Sequence, residues 1–233
     1  MARLYLMLYF TQITIIFNAM FNRSPSELIT MVLTLVISFT FHEFAHAWTA
    51  TQFGDDTPGR FGRLTLNPIK HLDLMGSLML ILTGFGWAKP VPVNERKIAE
   101  HSPAALMLVA VSGPLSNFLL SVIAAMPLRF GWVQNDLPYY DFLPTGYEFL
   151  IVFLFTNLGL MLFNLIPLPP LDGEEVLAYF LPPRLEAQWE KIRPYGPYIL
   201  ILLLVAGPAF GFSIFDAVIS PAVFKLGGFL LGW

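Results

Sequence analysis

The sequence predicts an all-α polytopic membrane protein of about five or six transmembrane helices, with a short membrane-associated β or re-entrant element at about 60–94. Three observations carry that prediction. Of the 233 residues, 56% are hydrophobic and only 12% are charged, about half the charge of an average soluble domain. The mean hydropathy is +0.65. Several apolar runs approach or exceed the roughly 20 residues that cross a bilayer. This composition excludes a disordered chain. With 0 cysteines it excludes a disulfide scaffold, and a net charge of −3 excludes an ordinary nucleic-acid binder. The chain reads as a single membrane-embedded domain. Its core is 26–180, residues 1–23 form an accessory N-terminal helix, and 196–233 hold further hydrophobic segments.

The first apolar run is Leu4 to Phe21, preceded by Arg3 and containing Thr11, Gln12, Thr14 and Asn18. A signal peptide is the rival reading, but no A-x-A-like site follows, so the run is read as a retained helix. The second run opens on Ser24-Pro25-Ser26-Glu27, a capping serine with proline at the first helical position and glutamate at the third. It continues to Phe53, where Gly54 stops it, for a length of about 43 Å. Residues 54–71 read as a turn and a short strand at 60–66. Leu72 to Ala88 is interrupted by Asp73, Gly76, Gly84 and Gly86 and reads as a re-entrant segment. Pro103 to Phe130 is a third long apolar segment, broken at Gly113-Pro114. An acidic loop with Asp136 and Asp141 follows. Tyr147 to Ile166 is the fourth, ending in a proline cluster, and Pro197 to Ala206 is the fifth. The tail from Gly207 to Trp233 either spans or lies in the interface.

The basic residues orient this array. If the first helix starts inside, the loops at 54–71 and 89–102 and the segment 172–195 face the cytoplasm, provided that 72–88 returns to its own side. Arg3, Arg60, Arg63, Lys70, Lys89, Arg96, Lys97, Arg184, Lys191 and Arg193, ten of the thirteen basic residues, then lie inside, as the positive-inside rule requires.

The chemistry concentrates near the inner end of the second helix, in His42-Glu43-Phe44-Ala45-His46. Histidines at i and i+4 share one helical face, so both imidazoles can reach one ion. Neutral imidazole binds Zn²⁺ well, and the adjacent glutamate can take a proton from water held at the metal. Ionisable groups inside an apolar helix are expensive and usually functional. The competing reading is a histidine pair satisfied by neighbouring helices, with Glu43 snorkelling. Ser38, His42, His46 and Thr49 fall within an arc of about 80°, a polar stripe that could line a wet cavity. A catalytic zinc needs a third protein ligand and an open position. Without cysteine, the candidates are His71, His101 and Asp172, the last set among apolar residues and prolines after the fourth segment.

These residues resemble a known family. H-E-x-x-H in a membrane helix, followed by Asn164, Pro167, Pro169, Leu171, Asp172 and Gly173 in an N-x-x-P-x-P-x-L-D-G pattern, is similar to the site-2 protease family of intramembrane zinc metalloproteases. Gly86-Trp87-Ala88-Lys89-Pro90-Val91-Pro92-Val93-Asn94 and Ser112-Gly113-Pro114-Leu115-Ser116-Asn117 also resemble its compact prokaryotic members. So does Arg63-Leu64-Thr65-Leu66-Asn67-Pro68 followed by His71, although Leu74 stands where those members carry proline. The resemblance covers about 26–180. It implies one Zn²⁺ per chain held by His42, His46 and Asp172, with Glu43 as the proton acceptor. It suggests substrate or oxyanion contacts for Asn117 and Asn164, for which interhelical hydrogen bonding is the plainer alternative.

The expected activity is therefore endoproteolysis within or near transmembrane segments of other proteins, in a prokaryotic cell membrane, with the site toward the cytoplasm. Partners are membrane-protein substrates and the lipid bilayer, not nucleic acid; the oligomeric state is left open. An extended substrate could add as a strand to the edge at 60–66 or to the 84–94 loop. Two other classes use the same residues. A metal-ion transporter would want polar groups through both leaflets, and a non-catalytic scaffold for membrane proteins would not require Glu43.

Overall fold

The computed structural model describes residues 24–83, 86–135, 142–206, 213 and 215–233. The expected helix at 4–21 and the acidic residues Asp136 and Asp141 lie outside the described residues. The described chain is helical. Helix α1 spans Pro25–Gln52, α2 Thr57–Arg60, α3 Leu74–Thr83 and α4 Glu95–His101. Helix α5 spans Ala105–Arg129, α6 Gly146–Asn164, α7 Gly173–Phe180 and α8 Pro183–Ile192. Helix α9 is Gly196–Ile201 and α10 is Ser220–Leu231, and wide π turns at Leu202–Ala206 and Phe215–Ile219 lie between them. Three described helices, α1, α5 and α6, are long and apolar enough to cross a membrane. The segments after Gly196 are shorter helical pieces.

Helix α1 begins where its sequence signals it. The Glu27 N–H donates to Ser24 Oγ and the Ser24 N–H donates to the Glu27 carboxylate, each at 3.2 Å. Helix α6 repeats the device, with the Thr145 N–H donating to Glu148 at 2.8 Å and the Glu148 N–H to Thr145 Oγ1 at 3.2 Å. Each box satisfies N–H groups that the first turn leaves unpaired. Helices α1, α5 and α6 pack pairwise. Close approach of α1 to α5 is set by small residues: Ala50 and Ala105 are fully buried with Ile98 from α4. A second core joins Ala124 and Ala125 of α5 to Phe153, Leu154 and Leu158 of α6 and to Ile219, Val223 and Leu231. Arg129 donates to the carbonyls of Phe229 and Leu230, tying the end of α10 to the end of α5.

Two expectations are corrected. Gly113-Pro114 does not break α5, which runs through both Pro114 and Pro127. Proline removes one i→i−4 bond, a cost that packing of α5 against α1 and α6 outweighs here. The strand expected at 60–66 also does not form. That stretch folds into α2 and successive turns around Gly62, whose φ of +66° is left-handed. The Arg63 side chain is buried beneath it, donating to the carbonyls of Lys70 and Lys89. A strand would carry the chain away from the guanidinium, whereas turns fold carbonyls back onto it.

The segment after it is a closed hairpin. Helix α3 has 10 residues, about 15 Å of rise and half of a bilayer core. Its flanks meet in an isolated antiparallel bridge between Leu72 and Ala88, with the Lys89 N–H donating to His71 at 2.7 Å. Gly76 lies so close to the Trp87 carbonyl that no Cβ would fit. The bridge is the one β feature among the described residues.

Candidate metal centre

His42 and His46 stand one turn apart on α1, and Asp172 is delivered by the chain leaving α6. After Asn164 the chain makes tight turns, with the Leu168 N–H donating to Ile166 at 2.8 Å and Leu171 to Leu168 at 3.0 Å. Gly173 then passes so close to the carbonyls of Leu165 and Ile166 that a Cβ would collide with both. This fold-back starts α7 at Gly173. Asp172 occupies the N-cap position, yet its side chain makes no capping bond. It turns instead to the histidines, with Oδ2 at 3.1 Å from His42 Nε2 and Oδ1 at 3.3 Å from His46 Nε2. The two Nε2 atoms are 3.0 Å apart.

The donor chemistry of this cluster calls for a cation. His46 Nδ1 lies 2.8 Å from the Val109 carbonyl. A carbonyl only accepts, so the ring proton sits on Nδ1 and Nε2 presents a lone pair. His42 Nδ1 is likewise occupied, at 2.6 Å from Asn117 Oδ1. Asp172 Oδ2 is buried and receives no hydrogen bond. Two imidazole lone pairs and a carboxylate thus converge without a proton donor between them, an arrangement costly to bury unless a positive ion compensates it. Ligands about 2.0–2.1 Å from a tetrahedral zinc are roughly 3.3 Å apart, close to the separations found. The set of two nitrogens and one oxygen suits zinc. Among the described residues this is the one cluster of three such ligands that an ion could bridge.

Neither other candidate for the third position is brought near. His71 is fully buried beside Arg63, with Nε2 2.7 Å from the Thr65 carbonyl. His101 packs edge-on against Phe53.

The cluster opens into a cavity of about 890 Å³ lined by α1, α5, α6, the 86–95 loop and the segment around Leu200. Its walls are apolar, with Leu35, Phe39, Leu106, Leu160 and Phe163 prominent, and Glu43 and Asn164 face it. The α1 face that lines it is therefore Leu35, Phe39, His42, Glu43 and His46. Ser38 does not line it, contrary to the expected polar stripe: it is fully buried and donates to the Thr34 carbonyl at 2.7 Å. Asn164 donates from its amide to Leu160 at 2.9 Å. Asn117 lies elsewhere. It is fully buried behind His42, and its amide also donates to Asn157 Oδ1 at 2.8 Å.

Three residues at the site were not given these positions by sequence reasoning. Val91 donates its N–H to Glu43 Oε2 at 3.1 Å. Asn157 supports Asn117, and its one signal was a lone amide in an apolar run. Gly113 passes directly beneath the imidazoles, where a Cβ would lie 2.6 Å from the His42 ring and nearer still to His46. The sequence marks it as a helix break and as part of a family-like stretch, and neither places it against the histidines.

Comparison with known proteins agrees with this geometry. The profile of peptidase family M50 matches residues 30–135. "Putative zinc metalloprotease YwhC" of Bacillus subtilis is 39% identical over 207 residues, covering 82% of this chain and 93% of its own length. The chain belongs to peptidase family M50. "Putative zinc metalloprotease Rip2" of Mycolicibacterium smegmatis is 30% identical, with 82% of this chain and 71% of that protein covered. Its namesake in Mycobacterium tuberculosis strain H37Rv is 32% identical, over 73% of this chain and 63% of that protein. No solved structure matches. As a member of M50 the chain is a zinc-dependent peptidase with membrane-spanning helices.

Proposed function

We propose that this peptidase is an intramembrane endoprotease, hydrolysing peptide bonds within or near the transmembrane segments of other proteins. The observation that carries the reading is the opening of the His42–His46–Asp172 cluster, with Glu43 beside it, into a large apolar cavity among helices long enough to span a bilayer. Such walls suit an apolar segment unwound from its helix.

His42, His46 and Asp172 would hold the ion, leaving a position for water and substrate. Bound there, zinc would supply Lewis acidity, polarising the scissile carbonyl and lowering the pKa of water. Glu43 accepts the proton of the attacking water and returns it to the departing amine. Its carboxylate faces the cavity and is steadied by the Val91 N–H. Asn164, at the cavity wall, is the substrate contact. The site faces the cytoplasm of a prokaryotic cell, as the distribution of basic residues supports.

The test is metal analysis of purified protein, paired with cleavage of a panel of single-span substrates. The wild type should carry one zinc and cut within the span. Asp172→Ala should lose both zinc and cleavage. Cleavage confined to soluble peptides, or full zinc occupancy in Asp172→Ala, would overturn the corresponding part of the reading.

A further inference from the structure

Behind His42 lies a row of buried amides that ends on a main-chain carbonyl. Asn117 Oδ1 is 2.6 Å from His42 Nδ1, and Asn117 Nδ2 donates to Asn157 Oδ1 at 2.8 Å. Asn157 Nδ2 donates to the Phe153 carbonyl, also at 2.8 Å. Both asparagines are fully buried, so no solvent can replace a missing partner. The row crosses three helices, from α6 through α5 to α1.

The direction of this row is fixed at its far end. A side-chain amide can present its oxygen or its nitrogen to a given neighbour, and its neighbours decide which. The Phe153 carbonyl can only accept, so Asn157 must turn its nitrogen toward it. That leaves Asn157 Oδ1 facing Asn117, which must then turn its own nitrogen to Asn157. Asn117 Oδ1 consequently faces His42, and His42 must carry its ring proton on Nδ1. The Nε2 lone pair is thereby directed into the cluster with His46 and Asp172. His46 reaches the same state in one step, through the Val109 carbonyl.

We infer that Asn117 and Asn157 form a positioning relay that sets the tautomer and ring orientation of His42, so that Nε2 is ready for the metal. This rests on the reading of His42 as a zinc ligand. Neither asparagine lines the cavity, so neither touches substrate. The role differs from interhelical glue in one respect. Glue requires only that hydrogen bonds be made, whereas the relay requires a particular polarity, with acceptors pointing toward His42.

Histidine NMR of zinc-loaded, nitrogen-15-labelled wild type tests the polarity directly, with the His42 signal assigned by its loss in His42→Asn. The ring proton should sit on Nδ1, with zinc on Nε2. A proton on Nε2 overturns the relay, and His42→Asn serves only to assign the signal. Zinc affinity by chelator competition tests the coupling. Outer-shell partners of metal ligands typically contribute about 10–100-fold in affinity, and losses of that order are expected for Asn117→Leu and for Asn157→Leu. Asn117→Asp keeps an acceptor at His42 but sets its second oxygen against Asn157 Oδ1, so it should recover only part of the affinity that Asn117→Leu loses. Asn157→Leu is the decisive variant because it touches neither the metal nor His42. Wild-type affinity in a folded Asn157→Leu protein would overturn the relay alone, if His42→Ala and Asp172→Ala still abolish binding. If those two variants bind zinc normally, the metal site fails and the relay with it.

Discussion

The Glu43 carboxylate is tied to the main chain of Val91, whose N–H donates to Oε2 at 3.1 Å across 48 residues of sequence. Pro90 and Pro92 flank Val91 and have no N–H to offer. The loop therefore brings one donor to this carboxylate, and it contacts only one of the two oxygens.

Replacing Glu43 by glutamine should separate metal binding from turnover. The amide keeps the shape and retains an oxygen that can accept from Val91, so the loop stays in place. It loses the basicity needed to take a proton from water. Glu43→Gln should hold zinc at wild-type stoichiometry while peptide cleavage falls by roughly 10²–10⁴-fold, the usual contribution of a positioned general base. Metal analysis and a cleavage assay on the same preparation check both halves. Near-normal turnover would remove Glu43 from the chemistry.

The joined flanks of α3 make a topological prediction. Leu72 and Ala88 are bridged, so the chain enters and leaves this hairpin at one level. Single cysteines can report the sides without interference, since the chain has 0 of its own. Phe61→Cys and Arg96→Cys place thiols at exposed positions. Both should react with an impermeant reagent from the cytoplasmic face. Trp132→Cys, also exposed and beyond the far end of α5, should react only from the other face. Labelling of residues 61 and 96 from opposite faces would make 72–88 a crossing segment.

Much of this architecture was legible because its signals are local. The Ser24–Glu27 capping box follows from a four-residue pattern, and the H-E-x-x-H pair follows from helical spacing. Asp172 was within reach because an aspartate among prolines and leucines needs a partner. What was hidden depends on contacts between distant segments. Gly113 reads as a helix breaker until the α1 imidazoles are seen against it. Arg63 alternates with apolar residues as a strand would, and only its buried carbonyl partners show why turns form instead. Asn117 looks like a cavity residue until Asn157, 40 residues later, claims its other end. Ser38 shares an arc with His42, but the neighbouring helices cover that side and leave the Leu35–Phe39 side open.

Asp55 predicts how acid weakens the bundle at the C-terminal end of α1. Its carboxylate receives Thr57 N–H at 2.9 Å, Thr57 Oγ1 at 2.5 Å and Asn94 N–H at 2.7 Å. These bonds clip the end of α1 to the loop that carries Val91. Burial alone would raise the Asp55 pKa, but the hydrogen bonds from Thr57 and Asn94, with Lys97 nearby, hold it below the ordinary carboxylate value. A depressed folded pKa contributes stability fully above the unfolded value near ~4, and that contribution is lost as pH falls through the folded value. Asp55→Asn puts an amide where three donors converge, leaving at least one buried N–H or O–H unpaired. It should destabilise the protein at pH 7 by about 1–3 kcal/mol. The gap between variant and wild type should narrow as pH drops below ~4. Thermal unfolding in detergent across that range measures it, and a gap that does not change with pH would contradict the assignment.

Gly113→Ala should damage the metal site while leaving its helix intact. Within a helix, alanine is favoured over glycine by about 1 kcal/mol, so propensity alone predicts a small gain in stability. The site predicts the opposite for zinc. The added Cβ would sit 2.6 Å from His42 Cε1 and His42 Nε2 and closer still to His46 Nε2. Those are the atoms that converge with Asp172. Relief would require the rings to turn away, but His42 is held at Nδ1 by Asn117 and His46 by the Val109 carbonyl. The alternative is for α5 to withdraw from α1, which the buried cluster of Ala50, Ile98, Ala105 and Val109 resists. Zinc affinity should therefore fall by at least about tenfold, as for other disturbances around metal ligands, with cleavage falling alongside it. Circular dichroism and thermal unfolding of the zinc-free protein should stay close to wild type. That combination separates a steric effect on the imidazoles from general unfolding. Undiminished zinc binding by Gly113→Ala would show that the histidines do not need the space that glycine leaves, and that their rings engage the metal from another direction.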